Sequence, residues 1–143
     1  MVFLGNSKTQ CGKEVIDYVK KNGLENSVVV IDEVDQEALP LYYQHAKINI
    51  FASECENCPI TLLEGLASGV PNLVSNVGPN PEFAKDFALY FDPAEPEQLA
   101  NLFIKLDQKM IATNQLIQDL DSYMEEFNWK KSICRTWEEV LKI

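Results

Sequence analysis

Short apolar runs alternate with amphipathic stretches along most of this chain. Val2–Leu4 is a first apolar run, closed by the turn-forming cluster Gly5-Asn6-Ser7. A helix is predicted from Gln10 to Lys21, with Cys11, Val15, Tyr18 and Val19 on one stripe and Gly23 at its C-cap. Val28–Ile31 is continuously apolar, the pattern of a strand covered on both faces. Asp35 resembles an N-cap for a short helix marked by Leu39, Tyr42, Tyr43 and Ala46, with Pro40 limiting its first turn. Lys47–Ala52 alternates and is rich in β-branched residues, so it reads as a strand.

A loop and a further helix follow that strand. Pro59 suits the first helical position, where a missing N–H costs nothing. At about 100° per residue, Ile60, Leu62, Leu63, Leu66 and Ala67 share the sheet-facing side. Thr61, Glu64, Gly65 and Ser68 fall opposite, so Glu64 stands among small residues with room for an approaching group. Glu56 lies in the loop, and the two carboxylates read equally as solvated surface charges or as ligands at one mouth. In a parallel sheet this loop sits at the carboxyl end of its strand, where ligands gather, and free N–H groups at a helix start suit an anion.

Pro71–Ser75 is a further strand, Asn76–Pro81 a loop, Glu82–Asp86 one helical turn, and Ala88–Phe91 a last strand broken by Asp92-Pro93. From Pro96 onward the pattern is helical: Leu99, Leu102, Phe103 and Leu106 form one stripe, and Leu116, Leu120 and Tyr123 another. A final helix holds Trp129, Ile133, Trp137, Val140 and Leu141. Alternating β and α followed by helices predicts an α/β parallel sheet.

Composition narrows the function. The length of 143 residues supports one domain with a real core, at 46% hydrophobic and 24% charged residues. A formal net charge of −10 argues against nucleic acid or an anionic membrane as a partner, since both want a basic face. No apolar run approaches the roughly 20 residues needed to span a bilayer. The first residues have no basic n-region, so the expectation is no signal peptide, no direct membrane insertion and a cytoplasmic location. Cys11, Cys55, Cys58 and Cys134 are then expected as free thiols. An opening on a buried strand with only Met1 before it suggests the back part of a longer chain.

In order along the chain, these residues resemble the carboxyl-terminal, donor-binding domain of group 1 family glycosyltransferases. That family carries Glu-x7-Glu after a strand, within a run matched by Ser53, Glu56, Leu63, Glu64, Gly65, Ala67, Gly69 and Pro71. Gly5-Asn6, Leu39-Pro40 with Tyr43 and Ala46, Asn76–Glu82, Phe91-Asp92-Pro93 and Phe127-Asn128-Trp129 match its flanking motifs. The resemblance implies a Rossmann-like parallel sheet with helices on both faces, one half of a GT-B fold, ending in helices. It also implies a retaining sugar transfer from a nucleotide-diphosphate donor, a UDP- or GDP-sugar, to a glycan or lipid-linked acceptor, without a metal or other cofactor. Polysaccharide biosynthesis is the commonest setting.

By the same resemblance Glu56 holds donor-sugar hydroxyls near the reacting carbon, and Glu64 accepts from the ribose. The N–H groups of Ile60 and Thr61 face the diphosphate, Asn57 and Cys58 complete the loop, and the base lies near Glu33-Val34, with Gly5-Asn6 in the donor site. Ionised carboxylates are acceptors only, which suits both hydroxyl-binding roles. The strand and helix that carry the family's diphosphate-binding Arg and Lys precede this sequence's matching region, as does the acceptor domain, the expected partner. Asp32, Lys47 and Pro79 depart from the family's usual glycine, acidic residue and second glycine.

Rival readings are a non-catalytic nucleotide-sugar-binding module and a thiol-disulfide protein. The second rests on Cys55-x-x-Cys58 between a strand and a helix, the thioredoxin-like arrangement. Zinc would need Cys11, Cys134 or His45 as further ligands, all far away in sequence. His45 reads as a surface or packing residue rather than a base, and Tyr42, Tyr43, Trp129 and Trp137 read as core or helix-packing residues rather than a sugar platform.

Overall fold

The computed structural model describes residues 1–142. The chain forms two compact units, Met1–Pro40 and Leu41–Ile143. Strands β1 (Val2–Leu4), β2 (Val29–Ile31), β3 (Asn49–Phe51), β4 (Asn72–Ser75) and β5 (Leu89–Phe91) are all parallel to their partners. Their ladders form two sheets, β1-β2 and β3-β4-β5. Parallel strands need crossovers, and each crossover here carries a helix. The α/β reading holds.

In the first unit, α1 (Gln10–Lys21) begins where the Thr9 hydroxyl accepts from the Gly12 N–H at 3.0 Å. Its inward face is Val15, Ile16 and buried Val19, whereas Cys11 and Tyr18 are exposed. The predicted stripe is thus rotated, because Ile16 rather than Tyr18 completes it. Neither strand of this unit is deeply covered: β1 is exposed throughout, and Val29 of β2 is 54% exposed. Two strands and one helix hold too little surface to enclose both faces, so the continuous apolar run does not mark a buried strand. Among the described residues Asp35 caps nothing with its side chain; its carbonyl accepts from the N–H groups of Ala38 and Leu39 ahead of α2 (Leu39–His45).

The second unit is layered. Successive residues of β4 point to opposite faces, so Val74 joins Leu62 and Leu66 of α3 (Ile60–Ala67) on one side. Leu73 joins Leu106 of α5 (Pro96–Asp107) on the other. All four residues of β4 are buried, which makes it the central strand. After β4 come α4 (Asn80–Ala84), a 3₁₀ turn at Lys85–Phe87, and β5. Phe103, predicted on the α5 stripe, is exposed; Leu99, Leu102 and Leu106 carry the contact.

Leu116, Leu120 and Tyr123 are all buried, but on two short helices, α6 (Asn114–Ile117) and α7 (Leu120–Met124). The left-handed backbone of Asp119, φ 62°, separates them and breaks the single predicted stripe. Tyr123 stacks on Phe87, meets Phe127 edge-on, and donates to the Phe83 carbonyl at 2.8 Å. The last helix, α8 (Trp129–Val140), is capped by the Asn128 side chain on the Lys130 N–H. Its apolar face stays exposed, with Trp129 at 78% and Trp137 at 59%. These two tryptophans therefore lie on a surface and are not core residues.

Candidate functional site

The loop after β3 is held by a relay of serines. Ser75, at the end of β4, donates its hydroxyl to the Ser53 carbonyl at 2.5 Å. Ser53 in turn donates to the Cys55 carbonyl at 3.1 Å. Asn80 is fully buried and donates to both the carbonyl and the hydroxyl of Ser75, at 3.3 and 3.0 Å. A Cβ on Gly78 would lie 3.8 Å from the Glu56 carbonyl, so the β4–α4 loop runs beside the one that carries Glu56. Because β3 and β4 are parallel, both loops leave the sheet at its carboxyl end. Sequence reasoning missed Asn80, because an asparagine in a Pro- and Gly-rich stretch reads as exposed loop.

Helix α3 starts one residue later than its composition suggests. Pro59 has φ −80° and ψ 72° and stands outside the helix as its N-cap. That is the geometry of an inverse γ-turn, and the Ile60 N–H accordingly donates to the Cys58 carbonyl at 2.9 Å. The N–H groups of Leu62 and Leu63 both reach the Pro59 carbonyl. Thr61 alone in this first turn keeps an N–H without a partner among the described residues. The expected pair of free donors at Ile60 and Thr61 is thus reduced to one.

The inward face of α3 also differs from the expectation. Leu62, Gly65 and Leu66 are buried, while Ile60 and Ala67 are exposed. Gly65 is inward because the helix packs closely on β4: a Cβ there would stand 2.9 Å from Asn72 Oδ1. Glu64 is drawn inward with it and is only partly exposed, with Oε2 buried and without a hydrogen-bond partner among the described residues. Its neighbour is an aromatic, not a set of small residues. Burial first, and then the charge of the nearby Glu64 carboxylate and a hydrogen bond to it, push the Tyr43 phenol above its ordinary range, so only Oε2 of Glu64 is left without a partner among the described residues. Tyr43 also lies against Gly65, with Cε1 3.9 Å from a Cβ built there.

Glu56, Asn57, Cys58, Ile60, Thr61 and Glu64 thus stand on one loop-and-helix unit. Glu56 is partly exposed and its carboxylate makes no hydrogen bond or ion pair among the described residues. Asn57, Cys58 and Thr61 are exposed.

Gly5, Asn6, Glu33 and Val34 belong to the other unit, at the carboxyl ends of β1 and β2. The Gly5 N–H extends the ladder to the Ile31 carbonyl at 3.0 Å. Asn6 Oδ1 accepts from the Lys8 N–H, and its carbonyl accepts from the Thr9 hydroxyl at 2.9 Å. Gly12 admits that carbonyl against the helix: a Cβ there would clash with Asn6 O. Asp32, a departure from the family pattern, accepts from the Ser7 N–H at 2.7 Å, and its bonds to Ser7 hold its carboxyl below the usual aspartate range. Glu33 is exposed and Val34 partly so.

Elsewhere, His45 Nδ1 donates to its own helix at the Leu41 carbonyl, 2.8 Å away, which makes it a surface residue. All four cysteines are free. Among the described residues no three His, Cys, Asp or Glu side chains stand together as a metal site, and no helix is long and apolar enough to cross a membrane. A crevice of about 490 Å³ opens at the amino ends of β3 and β4, between Lys47, Pro71, Leu106 and Ile111, away from the Glu56 loop.

The family model of glycosyl transferases group 1 matches residues 1–119, and the chain belongs to that family. It is 28% identical over 131 residues to CapH of Staphylococcus aureus, a capsular polysaccharide biosynthesis glycosyltransferase, covering 90% of this chain and 35% of CapH. Sucrose-phosphate synthase from Thermosynechococcus elongatus superposes with a TM-score of 0.81 at 21% identity, over 99% of this chain and 38% of that one. HepE from Anabaena, solved in complex with UDP and with UDP-glucose, gives 0.82 at 17% identity, over 99% of this chain and 40% of HepE. The chain spans little more than a third of the length of the relatives it matches.

Proposed function

We propose that this chain is the nucleotide-sugar-binding half of a GT-B glycosyltransferase, acting with a separate acceptor-binding domain and transferring a hexosyl unit with retention. The observation that carries this reading is Glu64 of a group 1 family chain, with one carboxylate oxygen buried and unpartnered on the helix that follows β3. An unpartnered acceptor at such a place is suited to a hydroxyl donor, and the ribose of a nucleotide supplies one. Glu56, on the loop before it, is the residue assigned to the donor sugar at the reacting carbon. The Thr61 N–H, without a partner among the described residues, is assigned to the diphosphate, whose charge grows as the glycosidic bond breaks. Gly5, Asn6, Glu33 and Val34 are assigned to the remainder of the donor, the last two to its base. UDP and UDP-glucose in the HepE structures support a uridine donor, and CapH supports polysaccharide assembly as the setting.

An amide-shift NMR titration with UDP, GDP, ADP and CMP tests this half-site. Selective shifts at Thr61 and Glu64 for one nucleotide are expected, unchanged by a chelator. In a full-length enzyme, Glu56→Ala and Glu64→Ala should each abolish or sharply reduce transfer. Normal transfer by both variants would sink the assignment.

A further inference from the structure

The donor-site reading leaves two thiols unused on the loop that carries Glu56. Cys55 and Cys58 are both exposed and unpaired, three residues apart, and they bracket Glu56 and Asn57. The chain bends at Asn57 and Cys58. Each cysteine is tethered through its own carbonyl, Cys55 by the Ser53 hydroxyl and Cys58 by the Ile60 N–H. Between these tethers no backbone hydrogen bond closes the loop among the described residues, and the Glu56 side chain is held by none.

We infer that Cys55 and Cys58 form a reversible disulfide with low-molecular-weight disulfides as oxidant, and that it switches the loop carrying Glu56. The two thiols reduce one oxidant disulfide: a thiolate at either cysteine attacks it, releasing one small thiol and leaving a mixed disulfide. The second thiolate then displaces the other small thiol and closes the Cys55–Cys58 bond. Two protons leave the protein thiols and two small thiols are produced, so the exchange balances. A four-residue segment closes at little loop entropy. A disulfide also requires Cα atoms about 4.4–6.8 Å apart, so closure confines both loop ends to that range and restricts the conformations open to the intervening Glu56 and Asn57. The effect on donor binding rests on the role assigned to Glu56 above; the disulfide itself does not.

The test uses the full chain carrying Cys11→Ser and Cys134→Ser, equilibrated across ratios of reduced to oxidised glutathione. Intact mass is expected to fall by about 2 Da as two thiol protons are lost, returning on reduction. The further change Cys58→Ser should yield a mixed glutathione adduct instead. Amide shifts on oxidation should centre on Glu56, Asn57 and Thr61, and affinity for UDP-glucose should fall by roughly threefold or more, because the bond holds the loop away from its binding conformation and that conformation must then be regained at a cost. Mixed adducts without the closed bond, even in excess oxidised glutathione, would overturn the disulfide. A closed bond with unchanged UDP-glucose affinity would overturn the switch. If the reduced chain binds no nucleotide while the bond still forms, the donor-site reading fails and the modification site stands.

Discussion

Replacing Glu64 with methionine separates stability from function. Glu64 Oε2 is buried with no hydrogen-bond partner among the described residues. Leaving such a group unsatisfied costs about 1–3 kcal/mol. Because the residue as a whole is partly exposed, the lower end of that range applies. Methionine keeps the length, is a good helix former and adapts to irregular gaps, so Glu64→Met should stabilise the chain by about 1 kcal/mol. Urea unfolding followed by circular dichroism reads this directly. With a slope of about 2 kcal/mol/M, the midpoint should rise by about 0.5 M.

The same change removes an acceptor assigned to ribose hydroxyls. Hydrogen bonds to charged groups contribute about 1.5–3 kcal/mol each, so nucleotide affinity should drop by roughly ten- to a hundredfold. Tyr43 supplies an independent check, since the Glu64 charge helps hold its phenol high. In the variant Tyr43 should ionise at a lower pH than in the parent chain. A midpoint that falls by 0.5 M or so would refute the reasoning, because it would show the carboxylate to be satisfied and structurally required.

Three further outcomes follow from the packing. Leu66→Ala empties a site with 0% exposure between α3 and β4, and should cost about 2–5 kcal/mol in the same unfolding assay. Gly65→Ala gains about 1 kcal/mol of helix propensity, but its Cβ would meet Asn72 Oδ1 at 2.9 Å while Asn72 is 3% exposed and tied to the Val70 carbonyl at 2.7 Å. Displacing that bond costs about 1–3 kcal/mol, so a net loss of about 1 kcal/mol is expected from the midpoint. The Tyr90 phenol, raised to about 12 chiefly by burial and then by Asp86, donates to the Lys85 carbonyl at 2.6 Å. The unfolded chain loses this proton first, near pH 10, so the contribution is full below that pH and fades as pH rises towards 12. Tyr90→Phe should remove that part of the alkaline pH dependence, and tyrosinate absorbance should show one fewer late-titrating group.

What the chain order decided by itself was local. Apolar runs bounded by Gly, Pro and Asn marked all five strands, and the spacing from Gln10 to Lys21 marked α1 at its observed ends. Such signals are legible because strand and helix periods are properties of neighbouring residues. The Glu-x7-Glu run and its flanking motifs likewise pointed to the family that the chain belongs to. Burial was a different matter. Tertiary packing left β1, Val29, Tyr18, Trp129 and Trp137 exposed despite their apolar character, and buried Asn72, Ser75 and Asn80 despite their polarity.

The same division runs through the site. Sequence placed Glu56 and Glu64 on a loop and a helix, but the inverse γ-turn at Pro59 decided that, among the described residues, Thr61 alone in the first turn of α3 keeps a free N–H. The close approach of Gly65 to β4 decided that Glu64 is drawn in beside Tyr43 rather than left among small residues. Periodicity reports which residues share a face. Only the packed chain shows which face is covered, because coverage depends on elements distant in sequence meeting at van der Waals distance.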